Sequence, residues 1–315
     1  MMRLKRKARN TVCWLLAIIL ILLGFVKRAK RESFQNGVIT SIYFHNPNKR
    51  IFKRIVTWLK DSGYTFISSD QLLDIMNNKI ACPSGAAWLS FDDGWKGNID
   101  NVVATAVEYD IPITIFINIA GVEEGTFWWT KVSTWAALVP AELRQAEVIK
   151  RLPEDVRKQT LQLISQAALQ DASRREAMTV EDVRRISAMA QVTIGSHTVT
   201  HPALPNCDDS QIDYELGTSK RKLEDWTGKQ VRTFAYPFGC FDGRERQFLK
   251  KYGYELATTT ENRFATLNSD CYLFPRNDVM DDGSFAENLC HALGIWEPVI
   301  SKFKRIIKLR DRTQS

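Results

Sequence analysis

The chain has 315 residues, 44% hydrophobic and 25% charged, an ordinary globular balance with ample length for one large domain or two small ones. Its formal net charge is +7, yet residues 1–31 hold nine Lys/Arg and no acid, and residues 302–312 hold six Lys/Arg against Asp311. The body between the two ends is therefore net −7, which argues against a nucleic-acid surface and puts the basic pI at the termini.

Arg3, Lys5, Arg6, Lys7 and Arg9 precede an uncharged run from Thr11 to Val26, and Lys27, Arg28, Lys30 and Arg31 follow it. The run is short for a spanning helix and long for a core helix, Leu23–Arg28 offers no convincing cleavage site, and Trp14–Leu23 lacks the polar face of a surface helix. Residues 1–31 are thus predicted to be an uncleaved transmembrane signal-anchor, with an orientation only weakly set by five flanking cations against four. The six cysteines (Cys13, Cys82, Cys207, Cys240, Cys271, Cys290) include no Cys-x-x-Cys pair, so neither a zinc ribbon nor a dense disulfide framework is expected.

From Gly37 strands and helices alternate. Val38–Phe44 reads as a strand ending on His45-Asn46-Pro47, Ile51–Ser62 as a helix stopped by Gly63, and Tyr64–Ile67 as a short strand. Ser69 or Asp70 can cap a helix through Met76. Ala86–Phe91 is an apolar run closed by Asp92-Asp93-Gly94, which places two carboxylates at the tip of a buried strand, where parallel α/β folds carry their chemistry. Two such charges repel unless a cation holds one of them; the alternative is a solvated Asp-Asp-Gly turn. Ile99–Tyr109 reads as a helix and Ile111–Ile117 as a β-branched strand. This alternation predicts a parallel sheet or barrel.

Residues 127–189 break the rhythm and read as helical throughout, with Leu138, Leu143, Val148, Ile149, Leu152, Leu161 and Leu163 as apolar positions and Thr179 capping the last helix. The segment is expected to be an insertion beside the barrel. Val192–Gly195 resumes the strands and runs into His197-Thr198-Val199-Thr200-His201-Pro202. The residues between the histidines and the following proline favour a loop, and two imidazoles with a carboxylate leave a zinc-like ion open positions for water and substrate. A lone pair of histidines four apart is more often structural. Paired with the Asp-Asp-Gly turn it favours a metal. A third turn, Phe234-Ala235-Tyr236-Pro237-Phe238-Gly239, can aim the Phe238 N–H into a cleft as an oxyanion donor, though alone it is an ordinary loop.

In this order, Ser-Phe-Asp-Asp-Gly, His-Thr-Val-Thr-His and Ala-Tyr-Pro-Phe-Gly resemble the polysaccharide deacetylases of carbohydrate esterase family four, over roughly Val38–Leu293. The resemblance implies a distorted (β/α) barrel spanning 37–293, with Asp93, His197 and His201 binding a divalent metal, zinc before cobalt or nickel. It implies Asp92 as the general base and shared oxyanion stabilisation by the metal and the Phe238 N–H. The substrate would be an N-acetylated polysaccharide or oligosaccharide. Many members carry an arginine where this chain has Ala235; exopolysaccharide-type members look similar here, and Arg276 in Phe274-Pro275-Arg276-Asn277 would serve instead. The late Leu-x-His motif is missing, so His45 is expected to be the general acid, whereas His291, in a helix pattern, reads as structural. Trp128 and Trp129 can stack on sugar rings or join the core. Residues 294–315 carry Ile300, Phe303, Ile306, Ile307 and Leu309 among basic residues, as a basic amphipathic helix or a solvated tail would. The implied setting is a bacterial cytoplasmic membrane, crossed once, with the catalytic body on the outer side. A glycan-binding pseudoenzyme, or an amidase acting on a non-sugar C–N bond, is the alternative.

Overall fold

The structure, a computed structural model, describes residues 2–135, 137, 140–168 and 175–302. The chain divides into two units, Met1–Leu89 with Thr260–Ser269 and Pro275–Ser315, and Ser90–Thr259 with Asp270–Phe274.

In the first unit α1 (Met2–Leu22) and α2 (Phe25–Ser33) lead into β1 (Val38–Phe44), whose seven residues are all buried. The two helices meet at Gly24, in left-handed conformation (φ 82°), and Arg9–Leu22 is bent by 67° from Phe25–Ser33. Among the described residues no single helix is long and apolar enough to cross a membrane; the segment predicted as a signal-anchor at residues 1–31 is a bent pair of helices. α3 (Lys49–Asp61) and α4 (Ser69–Met76) flank β2 (Thr65–Phe66). The cap of α4 is Ser68 rather than Ser69 or Asp70, closing a reciprocal box with Gln71. β1 pairs antiparallel with β8 (Ala265–Thr266) and parallel with β9 (Asn277–Asp278), and α13 (Phe285–Ala292) closes the unit. Of the C-terminal run at 300–309, residues 303–309 lie outside the described residues.

β3 (Ala86–Phe91) starts in this unit, pairing with β2, and finishes in the second. There its end pairs with β4 (Ile113–Ile117), and the parallel ladder continues through β5 (Val192–Ser196), β6 (Thr233–Ala235) and β7 (Leu256–Thr258). Ala-Ala-Trp-Leu-Ser-Phe and Ile-Thr-Ile-Phe-Ile are buried at every position, as strands covered on both faces must be. Gly195 lets the strands close up, because a Cβ there would lie 2.4 Å from the Phe116 ring on β4 and 2.8 Å from Thr233 Oγ1 on β6. Where the sequence predicts a distorted barrel, the fold is a parallel-strand half-barrel of the α/β class.

Helices join these strands. A π-helical turn at Ile99–Val103 precedes α5 (Ala104–Tyr109), where one helix is expected over 99–109. α6 (Ile119–Glu124) follows β4, α11 (Asp209–Thr227) follows β5, and α12 (Glu245–Lys251) follows β6. The segment at 127–189 is not continuously helical: α7 (Trp128–Thr134), a 3-10 turn at Ala141–Leu143, α8 (Ala146–Ile149), α9 (Glu154–Ala168) and α10 (Val180–Ser187) are separate. They pack Trp128, Val132, Ile149 and Ile164 into a common core, with Leu143, Leu152 and Leu161 against it. Val148 and Leu163 are exposed instead, and Leu138 lies outside the described residues. Thr179 caps α10 as its sequence suggests.

Candidate active site

Four neighbouring strands deliver the site from their C-terminal ends. β3 runs into Asp92-Asp93, β4 into Asn118, β5 into His197 and β6 into Tyr236, so consecutive ladder positions place these residues in a row. Asp92, Asp93, His197 and His201 are all buried. The Nε2 atoms of His197 and His201 lie 3.5 and 3.4 Å from Asp93 Oδ1 and 3.2 Å from one another. Three ligand-bearing atoms so close, on two imidazoles and one carboxylate, make a nitrogen- and oxygen-donor set suited to a zinc-like ion.

The surroundings fit that use. His197 Nδ1 sits 2.8 Å from the Ala235 carbonyl, so Nδ1 carries the proton, donates it there, and leaves the Nε2 lone pair facing Asp93. The Trp95 indole donates to Asp93 Oδ2 at 2.9 Å, fixing the carboxylate while its other oxygen faces the imidazoles.

The two ligand-bearing loops are held in different ways. The turn after β3 has Asp93 at φ 76° and Gly94 at φ 84°, with the Gly94 N–H donating to the Asp92 carbonyl, and two remote backbone N–H groups join it: Asn118 donates to the Asp93 carbonyl and Met178 to the Gly94 carbonyl. In the loop after β5, Thr198 and His201 take φ 64° and 54°, which no helix allows; the expected loop is observed. Thr198 Oγ1 accepts the His201 N–H, and the Ile119 and Ala120 N–H groups of α6 donate to the Thr198 and Val199 carbonyls.

Beneath this loop, Glu215 of α11 accepts the Val199 and Thr200 N–H groups at 2.7 and 2.9 Å and the Thr200 hydroxyl at 2.7 Å. Burial pushes the Glu215 carboxyl up, and the hydrogen bonds from Thr200 and Val199 oppose that rise. From α9, Arg157 donates to the Thr200 carbonyl and hydroxyl while a bidentate bridge to Glu154 neutralises it. From α7, the Trp128 indole donates to the His201 carbonyl at 3.3 Å. Beyond the loop Arg157 lines a cavity of about 450 Å³ with Trp128, Lys131 and Thr200.

Aromatic rings wall the site. Trp129 and Phe238 lie 4.8 and 4.6 Å from the His201 ring, Trp129 stacks on Phe127, and Trp128 is part of the core of the 127–189 segment. Pro237–Gly239 forms a 3-10 turn with Phe238 at φ 59°. Tyr236 is buried, and its hydroxyl donates to the Tyr272 carbonyl at 3.0 Å, which holds the turn.

The remaining candidates belong to the first unit. His45 is exposed directly after β1, edge-on to Tyr43 at 5.6 Å. Arg276 is fully buried with its guanidinium 4.5 Å from the centre of the Tyr43 ring. His291, on α13, places Nδ1 2.8 Å from an Asp278 carboxylate oxygen and stacks on Trp296.

Trp95, Thr198, Glu215 and Arg157 have no place among the sequence candidates. Glu215 left a trace: after the Asp208 cap it stands on the buried face of α11 beside Ile212 and Leu216, an acid where an apolar residue belongs. Arg157 left none.

The sequence model of the family described as polysaccharide deacetylase matches residues 79–257. A poly-beta-1,6-N-acetyl-D-glucosamine N-deacetylase of Staphylococcus aureus is 22% identical over 268 residues, 81% of this chain and 77% of that protein. Among solved structures, a Streptococcus pyogenes deacetylase in complex with acetate superposes with a TM-score of 0.61 at 17% identity, covering 82% of this chain and 99% of the other. The IcaB protein of Ammonifex degensii superposes at 0.57 with 16% identity, over 82% and 98%.

Proposed function

The chain belongs to the polysaccharide deacetylase family, and from that premise we propose a metal-dependent hydrolase that removes N-acetyl groups from a polymeric amino sugar, releasing acetate and leaving the amine. The observation that carries this reading is the buried Asp93–His197–His201 cluster, with His197 held in the tautomer that offers Nε2. Asp93, His197 and His201 would hold the ion, zinc in the first instance with cobalt or nickel as substitutes. When bound, it supplies Lewis acidity toward the amide carbonyl and lowers the pKa of water.

The chain's own residues do the rest. Asp92, buried beside Asp93, takes the proton of the attacking water. The Phe238 N–H, held by the Tyr236-Pro237 turn, stabilises the developing oxyanion. Trp129, half-buried against the His201 ring, offers a face to a sugar. An amide nitrogen leaves only when protonated, and His45 is assigned that delivery. Arg276 is assigned the tuning of the base. The name of the staphylococcal relative makes a β-1,6-linked N-acetylglucosamine polymer the first substrate to try. The N-terminal helices would attach the protein to a bacterial cytoplasmic membrane, with its body on the outer side.

The test is acetate release from a panel of β-1,6- and β-1,4-linked N-acetylglucosamine oligomers, after chelation and after zinc is restored. Activity lost on chelation, regained with zinc and greater on the β-1,6 series is expected; acetate release indifferent to chelation overturns the reading. His45→Ala should keep the metal and lose most turnover, while His291→Ala should lose little beyond stability; the opposite result reassigns the acid.

A further inference from the structure

α1 has two apolar faces, and among the described residues only one of them has a protein partner. Ala17 and Leu20 are buried on the side of α13, where the Cys290 thiol lies 4.0 Å from the Ala17 carbonyl and Arg9 pairs at 3.1 Å with the wholly buried Glu287 carboxylate. The opposite face carries Val12, Leu15, Ile19, Leu22 and Leu23, spaced i, i+3, i+7, i+10 and i+11, and these five are 49–79% exposed. So many large aliphatic side chains in one stripe need a covering surface. On α2, just past the bend at Gly24, Lys27, Arg28 and Arg31 are exposed on the face opposite buried Ala29 and Ser33.

From this arrangement we propose that α1 stays docked on α13 and lies in the plane of an anionic lipid surface. Its outer stripe enters the acyl boundary while Lys27, Arg28 and Arg31 meet the headgroups. To cross the bilayer α1 would have to leave α13, stranding the Glu287 carboxylate in the interior without its cation. A second copy of the chain fits less well as the covering surface, because a two-fold contact through the stripe would draw both basic clusters toward it. The inference rests on the membrane placement proposed above and concerns how the chain is attached; vesicle binding needs no substrate, so it can fail or succeed independently of the deacetylase reading.

The experiment is flotation of the full chain with phosphatidylcholine vesicles containing or lacking phosphatidylglycerol. Leu15→Glu with Ile19→Glu should lower partitioning roughly tenfold or more, with circular dichroism reporting on the fold. Lys27→Gln, Arg28→Gln and Arg31→Gln together should lower it several-fold on anionic vesicles only and make the remainder insensitive to salt. The decisive variant is Ala17→Cys in a Cys13→Ser background, which sets a thiol beside Cys290. A disulfide that forms on vesicle-bound protein and leaves binding unchanged is expected. Binding abolished by that lock, or no crosslink on the membrane, would show that α1 leaves α13 and overturns the inference. So would wild-type protein that ignores vesicles while the stripe variant turns a dimer into a monomer.

Discussion

The turn after β3 and the loop after β5 both carry candidate metal ligands on left-handed backbone, but only the loop after β5 is also gripped by side chains from distant parts of the chain. The Asp92–Trp95 turn has its Gly94–Asp92 backbone bond and its Trp95–Asp93 side-chain bond within four residues of sequence. The His197–His201 loop is gripped by Glu215, Trp128 and Arg157, which are 15 to 73 residues away from the groups they hold. A turn braced by its own side chain, whose remote bonds come from backbone N–H groups, tolerates side-chain changes elsewhere in the chain. A remotely gripped one depends on every element that reaches it.

At the ligands the two loops should be indistinguishable. Asp93→Asn from one and His197→Ala from the other are each expected to abolish bound metal and all measurable activity; full occupancy in either variant, measured by elemental analysis, breaks the ligand assignment. Next in size is Asp92→Asn, which should retain metal and lose turnover by roughly two to four orders of magnitude, the usual worth of a general base. If metal departs with it, the two aspartates have been given each other's roles.

The loops should separate at their supports. Glu215→Ala removes the acceptor of three hydrogen bonds and leaves the Val199 and Thr200 N–H groups without it, and metal affinity should fall roughly 10- to 100-fold. Competition with a chromophoric chelator measures this, and a shifted cobalt spectrum would show that ligand geometry moved. The smallest effect is expected from Trp95→Phe, which removes one neutral donor and costs about 1 kcal/mol, or several-fold in affinity. Should Trp95→Phe prove the worse of the two, the contrast between local and remote support is wrong.

The same contrast explains what could be read from the sequence. The candidate ligands, the buried strands behind them and the turn glycine were legible because each is written in a few adjacent residues: Ala86–Phe91 before Asp92, Val192–Ser196 before His197. The hold of Trp128 and Arg157 on the second loop was not, because an indole on α7 and a guanidinium on α9 reach the loop only once 127–189 has packed its own core. That segment also broke where continuous helix was expected, and Val148 and Leu163 face outward although their spacing suggested burial. Periodicity identifies a helix, but it does not say which of two apolar faces finds a partner, as α1 on α13 also shows.

The Trp128–His201 and Arg157–Thr200 bonds carry a consequence for engineering and descent. Segments between consecutive strands of an α/β fold are where lineages insert, shorten and trade pieces, since the ladder beneath does not notice. Here that freedom is curtailed. The stretch between β4 and β5 cannot be exchanged as a cassette unless the donor brings an indole and a neutralised guanidinium to the same two carbonyls. A chimera that folds perfectly well is then expected to come out of the column without metal.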